Sequence, residues 1–424
     1  MQRIRTRAGV VAALATLTVA ACGTGGSGSN NSSGGIQAGP GVDVNAKTIN
    51  LGVLTPLSGI AQVIGKPLAA GQADYFKYID ANGGIDGWKV NLTTEDSKYD
   101  PQTEVQEYNQ ILPNVLFIAQ SLGSPTTQAI ESLADSQGVV IGTAAQDSAF
   151  VTHQVNAVIG TPYAVDVANA LYYVSQHAPS AKIGIIYQND AYGQDGLKGY
   201  NAAKAAYNLN DVGYATYNVT DTSFTSQALA MKGKGAQYVV LTAIPSAAAG
   251  IIGAAAVIGY TPQWILQGPA WSEYLMTSNG TPSGTKTPVY PVMQGQWVLG
   301  YEAAWGDTSV PGMSQFLQVQ QQYSPNQPPD GYYMYGYCLA VMEKDLLQKA
   351  ISSGNLTRQG ILQAKLNLGP VDFGGLIPSA NYTTSLGPAD RQTDIAQVSA
   401  TSPAFLKIIQ PYFSSSAGQN LTFG

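Results

Sequence analysis

Thr48-Ile49-Asn50-Leu51-Gly52-Val53-Leu54 runs into Thr55-Pro56-Leu57-Ser58-Gly59. Ile49, Leu51, Val53 and Leu54 leave little polar alternation, the pattern of a strand buried on both faces. Gly65–Ala81 follows at helical length, and Asn82-Gly83-Gly84 closes it with residues that tolerate positive φ. Lys89–Glu95 is then a strand, a helix starts at Thr103, Val115–Ala119 is a strand, Thr126–Gln137 a helix and Val139–Thr143 a strand. Such alternation predicts a parallel sheet with helices on both faces.

The pattern then begins again. Helices are expected at Tyr163–His177, Tyr192–Tyr207, Ser223–Lys232 and Ser246–Ile258, alternating with strands at Lys182–Tyr187, Val212–Asn218, Tyr238–Thr242 and Gln263–Leu266. After Val298 come helices at Met313–Tyr323, Tyr332–Lys349 and Thr357–Lys365, then a strand at Thr393–Ser399. The fold class is therefore α/β, with two doubly wound parallel-sheet lobes, and a chain of 424 residues is long enough to divide in this way.

Ahead of Thr48 the composition differs. Arg3, Arg5 and Arg7 precede an apolar run from Val10 to Ala21, too short to span a bilayer, which takes about 20 apolar residues. It has the length of a signal-peptide core and ends in Val19-Ala20-Ala21-Cys22-Gly23, which is similar to a bacterial lipobox. Residues 1–21 are read as a lipoprotein signal, with Cys22 as the lipidated residue; the plainer alternative is an ordinary secretory signal with an incidental cysteine. Residues 22–47, rich in Gly, Ser and Asn, read as a tether of about 25–30 Å reach. The remaining cysteine, Cys338, lies in an apolar helix and reads as a buried thiol.

Removing residues 1–21 takes three of the 20 basic residues and none of the 26 acids, a net charge of −9. That sign argues against nucleic acid and against anionic lipid headgroups as partners. Enzyme signatures are missing: no phosphate loop, no dinucleotide fingerprint and no nucleophile elbow stand in the chain. His153 and His177 lack partners at metal spacing. No catalytic residue, cofactor or metal is expected.

In open α/β sheets ligands sit beyond the carboxyl ends of the strands. The loops there include Gln120–Gln128, Thr143–Asp147 and Asn189–Gly193. Ser124, Pro125 and Thr126 open a helix, so its free N–H groups offer an anion or carbonyl site; plain capping is the alternative.

Ile49–Gly59, Asn82-Gly83-Gly84-Ile85-Asp86-Gly87, Glu95-Asp96 with Tyr99-Asp100-Pro101, Gly123–Thr127, Asp190–Gln194, Asp221–Phe224 and Gly369–Gly375 together resemble the branched-chain amino-acid (Leu/Ile/Val) binding family of ABC-transporter solute-binding proteins. The resemblance implies a type I periplasmic-binding fold with three crossovers, near Gly160–Tyr163, Trp297–Gly300 and Val371–Gly375. Lobe 1 would comprise 48–161 plus 299–371, and lobe 2 162–298 plus 372–424. It implies a small-molecule ligand, ABC permease subunits as partners, a monomer, and an extracytoplasmic place on the cell membrane. The alternative is a sensor subunit of the same fold.

Carried over by the resemblance, Ser124 holds a ligand carboxylate, Ala144 with Ala145 offers backbone contacts, and Tyr192 is a second-lobe aromatic. Where relatives carry a disulfide between two early loops, this chain has Tyr99 and Gly123. The remaining ligand-facing positions depart from the pattern. Gln146 stands for a hydroxyl residue, Ala243 for a tyrosine, Ala270 (followed by Trp271) for the glutamate that pairs with the ligand ammonium, and Ile64 for an aromatic. The expected ligand is thus neutral or monoanionic with an apolar or aromatic body. Replacement of the lost glutamate by Asp147 or Glu273 is the alternative.

Overall fold

The computed structural model describes residues 35–300, 302–382 and 390–423. Cys22 and the signal segment lie outside them. Among the described residues no helix is long and apolar enough to cross a membrane.

The first sheet contains β1 (Thr48–Thr55), β2 (Lys89–Asp96), β3 (Ile118–Leu122), β4 (Ile141–Ala144) and β5 (Asn156–Val158), parallel and in the order β2-β1-β3-β4-β5. The second contains β6 (Lys182–Gln188), β7 (Asn210–Tyr217), β8 (Tyr238–Thr242), β9 (Gln263–Leu266) and β10 (Trp297–Gly300), in the equivalent order β7-β6-β8-β9-β10. Two antiparallel strands, β11 (Thr393–Val398) and β12 (Leu406–Phe413), extend it beyond β10. Each parallel core thus repeats one doubly wound arrangement, whose strand order reverses beside β1 and β3 in the first and beside β6 and β8 in the second.

The helices flanking the first sheet include α1 (Gln62–Ala81), α2 (Pro101–Ile111) and α3 (Ser124–Gln137). Those of the second are α4 (Tyr163–His177), α5 (Ala191–Tyr207), α6 (Thr225–Lys234) and α7 (Pro245–Val257). After β10 the chain forms α8 (Met313–Tyr323), α9 (Gly331–Ser352) and α10 (Arg358–Leu366). α1 and α9 pack backbone to backbone: a methyl at Gly71 would overlap the Tyr333 carbonyl, and one at Gly336 the Leu68 carbonyl. This close approach sets the start of α9 beside the start of α1. Cys338, on α9, is fully buried.

Four expectations need correction. The tether stops short of residue 47, because Gln37–Ala38 pairs with Asn355–Leu356 and Val42–Asp43 pairs with the start of β1. Ile36 and Val42 pack on the core, and Gly41, at φ +76°, lies against the backbone of Asn114–Leu116, which a side chain would block. β3 begins at Ile118 rather than Val115; Val115, Leu116 and Phe117 are buried all the same, so the apolar run marks core rather than pairing. The third passage between the sheets falls between Tyr382 and Thr393, later than Val371–Gly375. The amides of Ala303 and Gly312 bond to the carbonyls of Leu376 and Gly374, and Tyr382 Oη donates to Val158 O at 2.7 Å, so residues 374–382 stay with the first sheet's side. β10 pairs fully with the second sheet, so Leu299 and Gly300 belong there rather than with lobe 1.

Candidate functional site

A large cavity lies where the carboxyl ends of the two sheets face one another, with about 1190 Å³ of free space, part of it open to solvent.

The first sheet contributes the polar end. β3 ends at Leu122, and Gly123 turns the chain at φ +108° into α3. Thr126 Oγ1 donates back to the carbonyls of Leu122 (2.5 Å) and Gly123 (2.9 Å), and Thr127 N–H returns to Gly123 O, so the turn is capped from within. Ser124 points into the cavity, 1% exposed, and its Oγ meets no partner at hydrogen-bond geometry. The first-turn amides beside it have no intrahelical acceptors, and the helix dipole favours negative charge there. Asp147 stands behind this end; burial, reinforced by the Asp195 carboxylate, pushes its carboxyl up to about 7, partly offset by the Ala149 amide and by the nearby Ser124 hydroxyl.

Gly123 is covered by the ring of Tyr99: a methyl on Gly123 would sit 2.5 Å from it. The two positions that the resemblance matched to a disulfide are therefore in contact here through an aromatic ring. Tyr99 Oη accepts from Gln188 Nε2 at 3.3 Å, and Gln188 Oε1 accepts from Tyr217 Oη at 2.9 Å, so this ring joins β6 of the opposite sheet.

Aromatic rings make much of the wall, and their hydroxyls turn outward to backbone carbonyls. Tyr192 Oη donates to Ala243 O (3.2 Å), Tyr332 Oη to Trp271 O (2.6 Å) and Tyr335 Oη to Thr143 O (3.1 Å). Tyr163 meets Tyr192 edge-on, centroids 4.9 Å apart. Burial raises the pKa of all four far above the ordinary phenol value, so they stay neutral donors. With their tips engaged, Tyr192, Tyr332 and Tyr335 present their rings to the cavity. Ile64 and Leu68 from α1, Leu122, Ile244 and Met334 complete an apolar lining.

Of the residues expected from sequence, Ser124, Ala144, Gln146, Tyr192, Trp271 and Ile64 line the cavity. Pro125, Thr126, Ala145, Ala243 and Ala270 do not. Pro125 and Thr126 build and cap the first turn of α3, and Ala145 packs with Phe150 and Val158. Ala243 offers its carbonyl to Tyr192, and Ala270 is folded inside the short Gly268–Ala270 helical turn, its amide bonded to Gln267 O. Sequence reasoning missed Tyr99 and Ile244 as wall residues, and it missed the whole far end, formed by residues of 298–305, 331–335 and 394–408.

Acidic side chains also line the cavity, two of them within the far-end segments. Glu273, Glu302 and Asp394 are all part of the wall. Burial, with the Asp330 charge adding to it, pushes Glu273 well above the carboxylate range, and burial does the same for Asp394. Asp330 caps α9, accepting from the amides of Tyr332 (2.8 Å) and Tyr333 (3.3 Å), and burial still holds it up at about 7. Asp147 does not line the cavity, so of the two acids weighed as replacements for the lost glutamate only Glu273 reaches it. Among the described residues no group of His, Cys, Asp and Glu side chains is arranged to hold a metal ion.

The two sides meet over the cavity. Ser246 Oγ donates to Ile60 O at 3.4 Å, and Tyr332 Oη bridges to both Pro269 O and Trp271 O. Asp195 on α5 accepts from the amides of Ser148 (3.0 Å) and Ala164 (3.1 Å). The arrangement can enclose a small molecule, offering it the polar start of α3, aromatic and aliphatic walls, and the acids Glu273, Glu302 and Asp394.

Residues 48–403 match the family model described as "Periplasmic binding protein". Leu/Ile/Val-binding protein homolog 7 of Brucella abortus (strain 2308) is 24% identical over 317 residues, 71% of this chain and 77% of that protein. The fatty acid ABC transporter substrate-binding protein from Thermomonospora curvata superposes with a TM-score of 0.84 at 26% identity, covering 92% of this chain and 97% of its own. A branched-chain amino acid ABC transporter protein from Thermus thermophilus with bound valine shares the fold at a TM-score of 0.77 and 14% identity, over 89% and 99% of the two chains. With its paired doubly wound sheets and the cavity between them, the chain belongs to the type I periplasmic binding proteins of the Leu/Ile/Val-binding family, the extracytoplasmic substrate-binding proteins of ABC transporters.

Proposed function

We propose that this protein captures a monocarboxylate with a long apolar body, of the fatty-acid kind, and delivers it to an ABC permease while anchored to the membrane through a lipid on Cys22. The observation that carries the reading is Ser124. Its hydroxyl is buried without a partner at the start of α3, at one end of a cavity whose tyrosines turn their hydroxyls to the backbone. A carboxylate there receives a hydroxyl and helix amides, and an apolar body meets rings and aliphatic side chains. The likeness to the Thermomonospora curvata protein supports the same ligand class.

A free α-amino acid is the second reading, favoured by Glu273 in the wall. It ranks lower because an ammonium sealed in the cavity needs an ionised partner, and burial raises the Glu273 carboxyl well above its ordinary value, so ionising it there carries a desolvation cost. Titration calorimetry with leucine, valine, phenylalanine and straight-chain carboxylates separates the two. Micromolar binding of an amino acid with every carboxylate inactive sinks the first reading.

The anchor rests on Val19-Ala20-Ala21-Cys22. Mature protein should begin at Cys22 and partition with membranes, and Cys22→Ser should release or misprocess it. An intact mass from a bacterial host showing an unmodified N-terminus overturns this part alone.

A further inference from the structure

The cavity is not equally closed along its length. At the Ser124 end its lining is buried: Ile64, Leu68, Tyr99, Tyr192, Ile244 and Trp271 are each less than a tenth exposed. At the opposite end, where the chain passes between the sheets, Ala303 and Trp305 are half-buried and Ala304 exposed. Facing them, Ala404, Leu406 and Ile408 are half-buried and Pro403 exposed. This end therefore reaches the surface while the lips of the cleft are in contact through Ser246 and Ile60.

Its walls are built rather than incidental. Val298, Ala396 and Ile408 are register partners across β10, β11 and β12, so all three point to the same face and into the cavity. Trp305 is fixed on the other side by an edge-on contact with Phe316 of α8, centroids 4.9 Å apart. Between β11 and β12, Ala404 and Phe405 both take left-handed backbone conformations, φ +52° and +56°. That turn drives the Phe405 ring into the core and leaves Pro403 and Ala404 at the rim.

We propose that this end is a second mouth, through which the tail of a chain-like amphiphile extends into solvent while the lobes stay closed on its head. It rests on the monocarboxylate reading for the identity of the head, though the channel itself requires only an unbranched apolar chain. A sealed cleft would reject any ligand longer than itself. A mouth beside the crossovers, which move least when lobes hinge, removes that limit.

The test is calorimetric titration with straight-chain carboxylates from butyrate to stearate, and with n-alkanols of the same lengths. Affinity should rise about fourfold per methylene, about 0.8 kcal/mol each, and then level off where further methylenes leave the mouth. Stearic acid carrying a nitroxide at its methyl end should be reduced by ascorbate nearly as fast as when free, and a nitroxide near the carboxyl should be protected. Ala304→Phe, on an exposed residue, and Ala404→Phe should each weaken the longest acids tenfold or more and leave the short ones unchanged. Affinity that falls for long chains in the unaltered protein, or a protected terminal nitroxide, overturns the second mouth and leaves the head-group reading standing. A plateau with alkanols but no binding of carboxylates overturns the head group and keeps the mouth. If no chain binds with either head, both proposals fall.

Discussion

In the first lobe the strand beside the order reversal ends at Leu122, turns through Gly123 and enters a helix beginning Ser124-Pro125. In the second, the equivalent strand ends at Thr242, turns through Ala243 and Ile244 and enters a helix beginning at Pro245. Both helices carry proline in the first turn, both sit where a doubly wound sheet places its ligand, and both turns touch the same cavity. Their chemistry is opposite. Ser124 brings an unpartnered hydroxyl, whereas Ile244 brings an aliphatic side chain and Ala243 gives its carbonyl to Tyr192. On the proposed reading, one architecture used twice supplies a head-group site on one side and an apolar lid on the other. Topology settles where a ligand sits, and one or two side chains settle what it is.

Exchanging those side chains tests the comparison. Ser124→Ala should cause the largest loss, about 10–100-fold in carboxylate affinity, as expected for a hydrogen bond to a charged group worth about 1.5–3 kcal/mol. Alkanols of equal length should lose far less, and equal losses for both head groups would show that Ser124 only shapes the wall. Ile244→Asn places an amide in the lid with no partner among the apolar residues. It should cost roughly tenfold for every chain, whatever its head, since an unpaired buried polar group costs about 1–3 kcal/mol. A head-group-dependent change would mean that the second lobe also reads the polar end.

Tyr99→Phe probes the joint between the two sides. It removes the acceptor for Gln188 Nε2 but keeps the ring over Gly123, and Gln188 retains Asp190. A severalfold weaker affinity is expected, from a bond worth about 0.5–1.5 kcal/mol made only when the sides meet. Solution scattering of the ligand-saturated variant should show a larger radius of gyration than the unaltered protein, and identical compaction would remove Tyr99 from the closure.

Much of this frame was legible in the sequence, for a physical reason. Strands buried on both faces, such as Thr48–Thr55 and Tyr238–Thr242, read as unbroken apolar runs between helical periods, and α4 was found at its true ends. The antiparallel edge was legible only in part: a strand was read at Thr393–Ser399, but β10 and β12 were not. Trp297–Gly300 is too short to be told from a connection, and β12 contains Pro411, tolerable because β12 lies at the sheet's edge, where a missing N–H goes unnoticed. Ser124 could be reached because it follows a strand of the parallel core. Tyr99 could not: it stands in a loop with φ +62°, a conformation that sequence assigns to glycine or asparagine. The proposed second mouth joins residues 303–305 to 403–408, which the pairing of β10, β11 and β12 brings to one cavity.

The smallest expected effect sharpens the comparison through charge. Asp147 stands close to Ser124 in the first lobe, and its carboxyl is held up at about 7, first by burial and then by Asp195. Below that pH it is neutral and leaves the helix start electrostatically open to a carboxylate. Above it, an anion behind the anchor repels the head group. Carboxylate affinity should therefore fall severalfold as pH rises from about 6 to 8, while alkanol affinity, governed by the apolar lid, stays level. The same shift has a consequence for stability. A carboxyl whose folded pKa lies above its ordinary 3.8 binds its proton more tightly in the folded state, so its stabilising contribution is full below about 4 and is lost as pH rises through about 7. Glu104, raised by burial to about 8, acts in the same direction. Melting temperature without ligand should decline between pH 5 and 8. Asp147→Asn should flatten the affinity profile but, with Glu104 intact, only part of the stability profile. A carboxylate affinity that keeps its full pH dependence in Asp147→Asn would assign the titration to an acid of the cavity wall, Glu273 or Asp394, and the polar end would then extend beyond the α3 turn.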